Sequence, residues 1–135
     1  MTLWRWIAAP LVYAIHDMQI ARHGGLPGLR NKNAVESALS RAQHLANYGN
    51  PGPDPADLAA AYAFSLARNH GFSDGNKRTA WVVARVFLLD NGLTFDFTQF
   101  DAIHVMQSVA AGEIDEQELA KWFRQRLISQ SDAAK

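Results

Sequence analysis

The sequence predicts an all-α fold, and three observations predict it. Apolar residues recur at three- and four-residue intervals along most of the chain, the spacing of one helix face. The stretches so marked open on capping residues or proline and close on Gly or Asn. Alternation is confined to L-T-F-D-F-T at 93–98, which reads as a short extended piece. With 135 residues the chain accommodates one domain over 1–135, and 48% apolar residues give it a core without metal or disulfide staples.

Pro10 can begin the first helix, and Leu11, Ile15, Met18 and Arg22 follow at helical spacing until Gly24 and Gly25 stop it. G-G-L-P-G-L-R at 24–30 is a loop of turn formers. Asn33 with Glu36 reads as a capping box for a helix reaching about Asn47. Three of the five prolines stiffen the surface loop at 49–55. Asp54 and Pro55 form a cap and first-turn pair, Asp57 adds favourable negative charge, and that helix reaches Asn69. A glycine-containing break leads into a strongly apolar helix from about Asn76, stopped by Asn91-Gly92. Two more helices follow. One spans Gln99 to Ala111 and is closed by Gly112; the other starts after an Asp115 cap, with Glu118 third, and puts Leu119, Trp122, Phe123 and Leu127 on one face. Residues 129–135 read as a frayed tail.

Composition narrows the function. Thirteen Lys and Arg balance thirteen Asp and Glu, so the net charge is zero. That argues against a protein that coats nucleic acid or anionic membrane, since phosphate neutralisation needs a basic surplus. The absence of cysteine removes thiol catalysis and Cys-based metal sites. Arg5, Pro10 and His16 interrupt the apolar N-terminus well short of ~20 residues, and Arg85 breaks the run from Ala80 to Leu89. The expectation is a soluble, cytoplasmic domain.

One stretch carries chemistry, N-H-G-F-S-D-G-N-K-R-T-A-W at 69–81. A helix N-terminus has unpaired N–H groups and a positive dipole end, so its first turn favours Asp or Glu. Here it holds Lys77 and Arg78, unfavourable neighbours unless an anion absorbs both. Gly75 lets successive N–H groups face one concavity. Gly75, Asn76, Lys77 and Arg78 thus describe a polyphosphate cradle, Asp74 a magnesium ligand beside it, and His70 a base for an incoming hydroxyl. The plainer reading is a capped turn, a solvated cationic face and a C-capping histidine. Residue by residue the plainer reading suffices; the ordered set favours phosphate chemistry on a nucleotide.

H-G-F-S-D-G-N-K-R resembles the signature of the Fic/Doc superfamily, His-x-Phe-x-Asp/Glu-Gly/Ala-Asn-Gly/Lys-Arg, and Lys77 aligns it with the Doc (death-on-curing) toxin branch. I-H-D-M-Q-I-A-R-H-G-G-L-P-G-L-R, E-S-A-L-S-R-A-Q-H-L-A-N-Y-G and A-A-A-Y-A-F-S-L-A-R-N-H are similar to that branch as well. The resemblance implies a compact helical Fic/Doc fold of about six helices, with the signature loop leading into a central buried helix. It implies His70 as catalytic base, Asp74 as the residue orienting Mg2+ on ATP, Gly75, Asn76 and Lys77 around the anion hole, and Lys77 and Arg78 on the terminal phosphates. Where the family carries a further Arg or Asn about four positions past Arg78, only Trp81 and Val82 stand nearby. The loop at 24–30 resembles the family's target-docking flap, although a plain interhelical loop would look much the same.

The implied activity is that of a toxin–antitoxin kinase moving the γ-phosphate of ATP to a hydroxyl of a translation factor, elongation factor Tu. AMP transfer of the Fic type is one alternative, and an inactive binding module of the same fold another. The Ser/Thr-x-x-x-Glu-Gly/Asn motif that restrains many Fic proteins is missing, for Ser108 is followed four residues on by Gly112. An antitoxin protein acting in trans is therefore expected. His16, Asp17 and Gln19 match a recurrent pattern of the branch, but a structural hydrogen bond between helices explains them more economically. His23, His44 and His104 have no second ligand at metal-binding spacing, and Trp4, Trp6, Trp81 and Trp122 read as packing.

Overall fold

A computed structural model describes residues 3–49 and 51–129. Six helices and a two-stranded ribbon are present among them: α1 (Ala9–His23), α2 (Lys32–Tyr48), α3 (Pro55–Asn69), α4 (Asn76–Asp90), β1 (Leu93–Phe95), α5 (Gln99–Ala110), α6 (Glu116–Arg124) and β2 (Leu127–Ser129). The helix termini follow local chemistry. Pro sits in the first turn of α1 and of α3, and Asp54 and Asp115 open α3 and α6 with reciprocal capping boxes to Asp57 and Glu118.

The core is built around α3. Ala59, Ala60, Ala61, Ala63 and Ala67 are buried on several faces, so neighbouring helices can approach its backbone closely, while Leu58, Tyr62 and Leu66 fill the gaps between them. α2, α4, α5 and α6 all pack on it. The Tyr62 hydroxyl accepts the Ile7 amide at 3.1 Å, which fixes the chain ahead of α1. α4 buries Ala80, Val83, Ala84, Phe87 and Leu88, so the apolar run in it is core. No helix among the described residues is long and apolar enough to cross a membrane. Trp4 and Trp6 lie against Phe87, and Trp81 packs with Phe95, Phe97, Trp122 and Phe123.

Three expectations are corrected. The cap of α2 is Asn31, whose side chain accepts the Ala34 amide at 3.1 Å, and Asn33 lies inside the first turn. The amides of Arg30 and Asn31 both bond the Gly71 carbonyl at 2.9 Å, so the extended segment ends there and the helix begins two residues early. Leu127 does not continue the face of α6. It pairs with Phe95 in the antiparallel ribbon, beside Thr94 with Ile128 and Leu93 with Ser129. The ribbon therefore includes Ser129, the first residue of the expected tail, and 130–135 lie outside the described residues.

Arg124 ties the end of α6 to the start of α3, donating from Nε to Asp54 Oδ2 at 2.6 Å and from Nη2 to Asp57 Oδ1 at 2.8 Å. Burial pushes the Asp54 carboxyl up, but the Arg124 guanidinium and the Asp57 amide outweigh it and hold the group below its ordinary 3.8. A carboxyl depressed on folding stabilises above its unfolded value and loses that contribution as pH falls through the folded one. Asp54→Ala is expected to cost about 1 kcal/mol at neutral pH, read by urea denaturation, with the gap to wild type closing below 3.8. A gap independent of pH would exclude the ionised pair as its source.

Candidate active site

The loop between α3 and α4 is set by two backbone turns of unusual hand. His70 ends α3 with φ 51° and ψ 46°, and among the described residues it alone has positive φ without being glycine. That conformation is costly for a side-chain-bearing residue, so the surrounding contacts must impose it. Gly71 is buried against Val35, and a Cβ there would collide with a Val35 methyl. The chain can pass only without a side chain, which leaves His70 at the surface as the last residue before the crossing.

Phe72 then turns inward. It is buried, stacks on His16 with ring centroids 3.8 Å apart and planes within 8°, and meets the edge of Tyr13. Asn76 clamps it from the other side: the Phe72 amide donates to Asn76 Oδ1 at 3.1 Å, and Asn76 Nδ2 donates to the Phe72 carbonyl at 3.0 Å. The Asn76 side chain thus braces the loop, and its main-chain amide and one side-chain N–H are left over.

Asp74 and Gly75 form the corner. Gly75 is the N-cap of α4 at φ 75°, and no side chain caps the helix. The first turn contains no acidic residue, as in α1 and α2, whereas α3, α5 and α6 carry Asp57, Asp101, and Glu116 with Glu118. What sets α4 apart is that its first turn holds Lys77 and Arg78 in succession behind an αL glycine. The first ladder bond is Thr79 N to Gly75 O at 3.0 Å, so the amides of Asn76, Lys77 and Arg78 are available to a ligand. Lys77 and Arg78 are exposed and form no ion pair among the described residues, whereas Arg41 and Arg124 do.

The Asp74 carboxylate is exposed and held below its ordinary range, first by the Gly75 amide on Oδ1 at 2.9 Å, then by the Leu26 amide on Oδ2 at 3.3 Å, with Arg78 adding to the effect. It is an ionised oxygen donor with lone pairs left over, which fits a magnesium ion completed by phosphate oxygens. Among the described residues no three His, Asp or Glu converge on one point.

The loop at 24–30 lies against this corner. Leu29 bridges Phe72 in antiparallel fashion, Ser73 donates to the Gly28 carbonyl at 3.2 Å, and Leu26 reaches Asp74. Gly25, which sequence reasoning took as a helix stop, has a second role: a Cβ there would stand 2.7 Å from Asp74 Oδ2. The paired glycines were the available signal. His16 does make a structural bond, but to the Asp74 carbonyl in this loop at 2.8 Å and not to a second helix. Trp81, near the place where the resemblance implies an additional polar residue, packs its ring into the aromatic cluster.

Comparison with known proteins gives the family. The Fic/DOC family model matches residues 6–88. The chain is 36% identical over 121 residues to "Protein kinase doc" of Escherichia phage P1, across 89% of this chain and 94% of that protein. It is 40% identical over 94 residues to "Toxin Doc" of Mycolicibacterium smegmatis, across 68% of this chain and 72% of that protein. The family match covers more than half of the chain and includes the whole of the loop and cradle, and on that ground the chain belongs to the Fic/DOC family, among its Doc-type toxins.

Proposed function

We propose that the chain is a toxin that transfers the γ-phosphate of ATP to a hydroxyl group of a translation factor, elongation factor Tu, and so blocks translation. The observation that carries the reading is the start of α4: uncapped, free of acid, turned by Gly75, and flanked by unpaired Lys77 and Arg78. Such an end offers convergent amides and two cations to one polyphosphate.

In this reading the imidazole of His70 takes the proton of the target hydroxyl as its oxygen bonds to the γ-phosphorus. The bond from that phosphorus to the bridging oxygen breaks, and ADP leaves with the electron pair. The amides of Asn76 and Lys77, with the Lys77 and Arg78 side chains, receive the charge that develops on the phosphate oxygens. Asp74 would hold magnesium, which supplies charge neutralisation on the phosphates. The Lys77 ammonium favours the most highly charged end of ATP and occupies space that a glycine would leave open to the α-phosphate. That, with the kinase name borne by a relative 36% identical, supports γ-transfer over AMP transfer.

Control in trans completes the proposal: an antitoxin protein whose disordered segment folds onto this domain. Expression of the chain alone should arrest bacterial growth and co-expression of its antitoxin should relieve the arrest. Growth unaffected by high expression of the lone chain would remove the toxin reading.

His70→Ala should lower transfer by ~100- to 10,000-fold while leaving helicity unchanged, since the side chain is exposed. Full transfer by a folded variant would sink the base assignment. Incubation with magnesium, elongation factor Tu and ATP labelled at either the α- or the γ-phosphate separates the two reactions. Label from γ alone is expected; label from α would replace the kinase reading with nucleotide transfer.

A further inference from the structure

His16 is 2% exposed, lies on α1 rather than in the signature, and touches three parts of the loop. Its ring stacks on Phe72, its Nε2 is 2.8 Å from the Asp74 carbonyl oxygen, and a Cβ at Gly75 would stand 3.7 Å from it. A carbonyl oxygen only accepts, so Nε2 carries the hydrogen. Nδ1 faces Asp17 Oδ1 at 3.9 Å, beyond hydrogen-bond reach.

The peptide unit joining Asp74 to Gly75 is a plane, with its carbonyl and its N–H pointing in opposite directions. His16 holds the carbonyl end, and the N–H end donates to Asp74 Oδ1 at 2.9 Å. The plane therefore links a buried imidazole to an exposed carboxylate. Glycine at 75 is what makes this link necessary. Without a Cβ, residue 75 accepts φ of either sign, and a half-turn of the plane would carry its φ from 75° to a negative value. That half-turn would swing the amide away from the carboxylate and undo the αL corner at which the first turn of α4 opens. The bond from His16 opposes it from the carbonyl end, as the bond to Asp74 Oδ1 does from the amide end.

We infer that His16 is a positioning residue for the phosphate cradle: its Nε2–H selects the orientation of the 74–75 peptide and thereby aims the Asp74 carboxylate and the Gly75 corner. The inference rests on the proposed function only for what the cradle binds. The orientation itself belongs to the free protein.

Two variants separate the hydrogen bond from the packing. His16→Phe keeps a ring over Phe72 and removes the donor; His16→Gln removes the ring and returns an N–H at similar reach. Amide hydrogen exchange at Gly75, measured by nuclear magnetic resonance on the full chain without nucleotide, should accelerate ~10-fold in His16→Phe and stay near wild type in His16→Gln. Calorimetry with magnesium and ATP should show binding weakened ~10-fold in His16→Phe and restored to within about threefold in His16→Gln. Unchanged Gly75 exchange in folded His16→Phe would overturn the inference, and so would a His16→Gln chain as impaired as His16→Phe, since the ring alone would then matter. Should His16→Phe fail to fold, the imidazole nitrogen shifts of the wild type decide: an Nε2–H tautomer is required, and Nδ1–H overturns the inference. Normal Gly75 behaviour in a wild-type chain that does not bind ATP would leave the inference standing and remove the proposed function instead.

Discussion

A buried phenylalanine in the middle of a polar loop is the contact on which the rest depends. Phe72 is 3% exposed, while Ser73 and Asp74 after it and Asn69 and His70 before it all face outward. Burying such a ring contributes about 1.5–3 kcal/mol, enough to hold in place a segment with no helical ladder of its own. Everything around the ring is arranged to receive it: His16 on its face, Tyr13 at its edge, Asn76 on both of its backbone groups, Leu29 alongside. The outward residues inherit their positions from this one inward residue. A loop held only by its own turns would leave His70, Asp74 and the start of α4 to drift independently.

That arrangement explains which parts of the molecule were legible in the sequence. Local chemistry sets the starts of α1, α3 and α6, and Pro10, Asp54 and Asp115 all sit where their side chains or rings act. The charge anomaly at Lys77 and Arg78 was legible for the same reason, because a helix dipole is a local property. Distant partners were not. Asn31 displaced Asn33 as a cap because Gly71, forty residues on, accepts the Arg30 and Asn31 amides. Leu127 keeps helical spacing from Phe123, yet the Arg126 carbonyl accepts the Asp96 amide at 2.9 Å and the Arg126 guanidinium turns back over Trp122, which draws the chain into the ribbon.

The sequence names the polar residues of the loop but not which of them touch one another. Asn76, expected at the anion hole, also braces the loop, because that loop bends back within reach of its carboxamide. His16 looked like a helix-packing residue and proves to hold the loop, since the sequence gives no sign that α1 passes beneath residues 72–75. Gly25 and Gly71 looked like turn punctuation, and both are places where another part of the chain comes too close for a side chain.

The left-handed backbone at His70 has an evolutionary consequence. At φ 51° and ψ 46° glycine is the most comfortable occupant and asparagine the next, so the imidazole is kept at this position against the conformational preference of the chain. In the proposed reaction, relaxing the corner and losing the proton acceptor are one and the same change, and a single replacement by glycine achieves both. A lineage in which the activity became a burden would find its inactive descendants folding at least as well as their parent. Under the proposed reaction, decay of the chemistry is thus downhill in stability, and an imidazole at this corner is held there by function and not by folding.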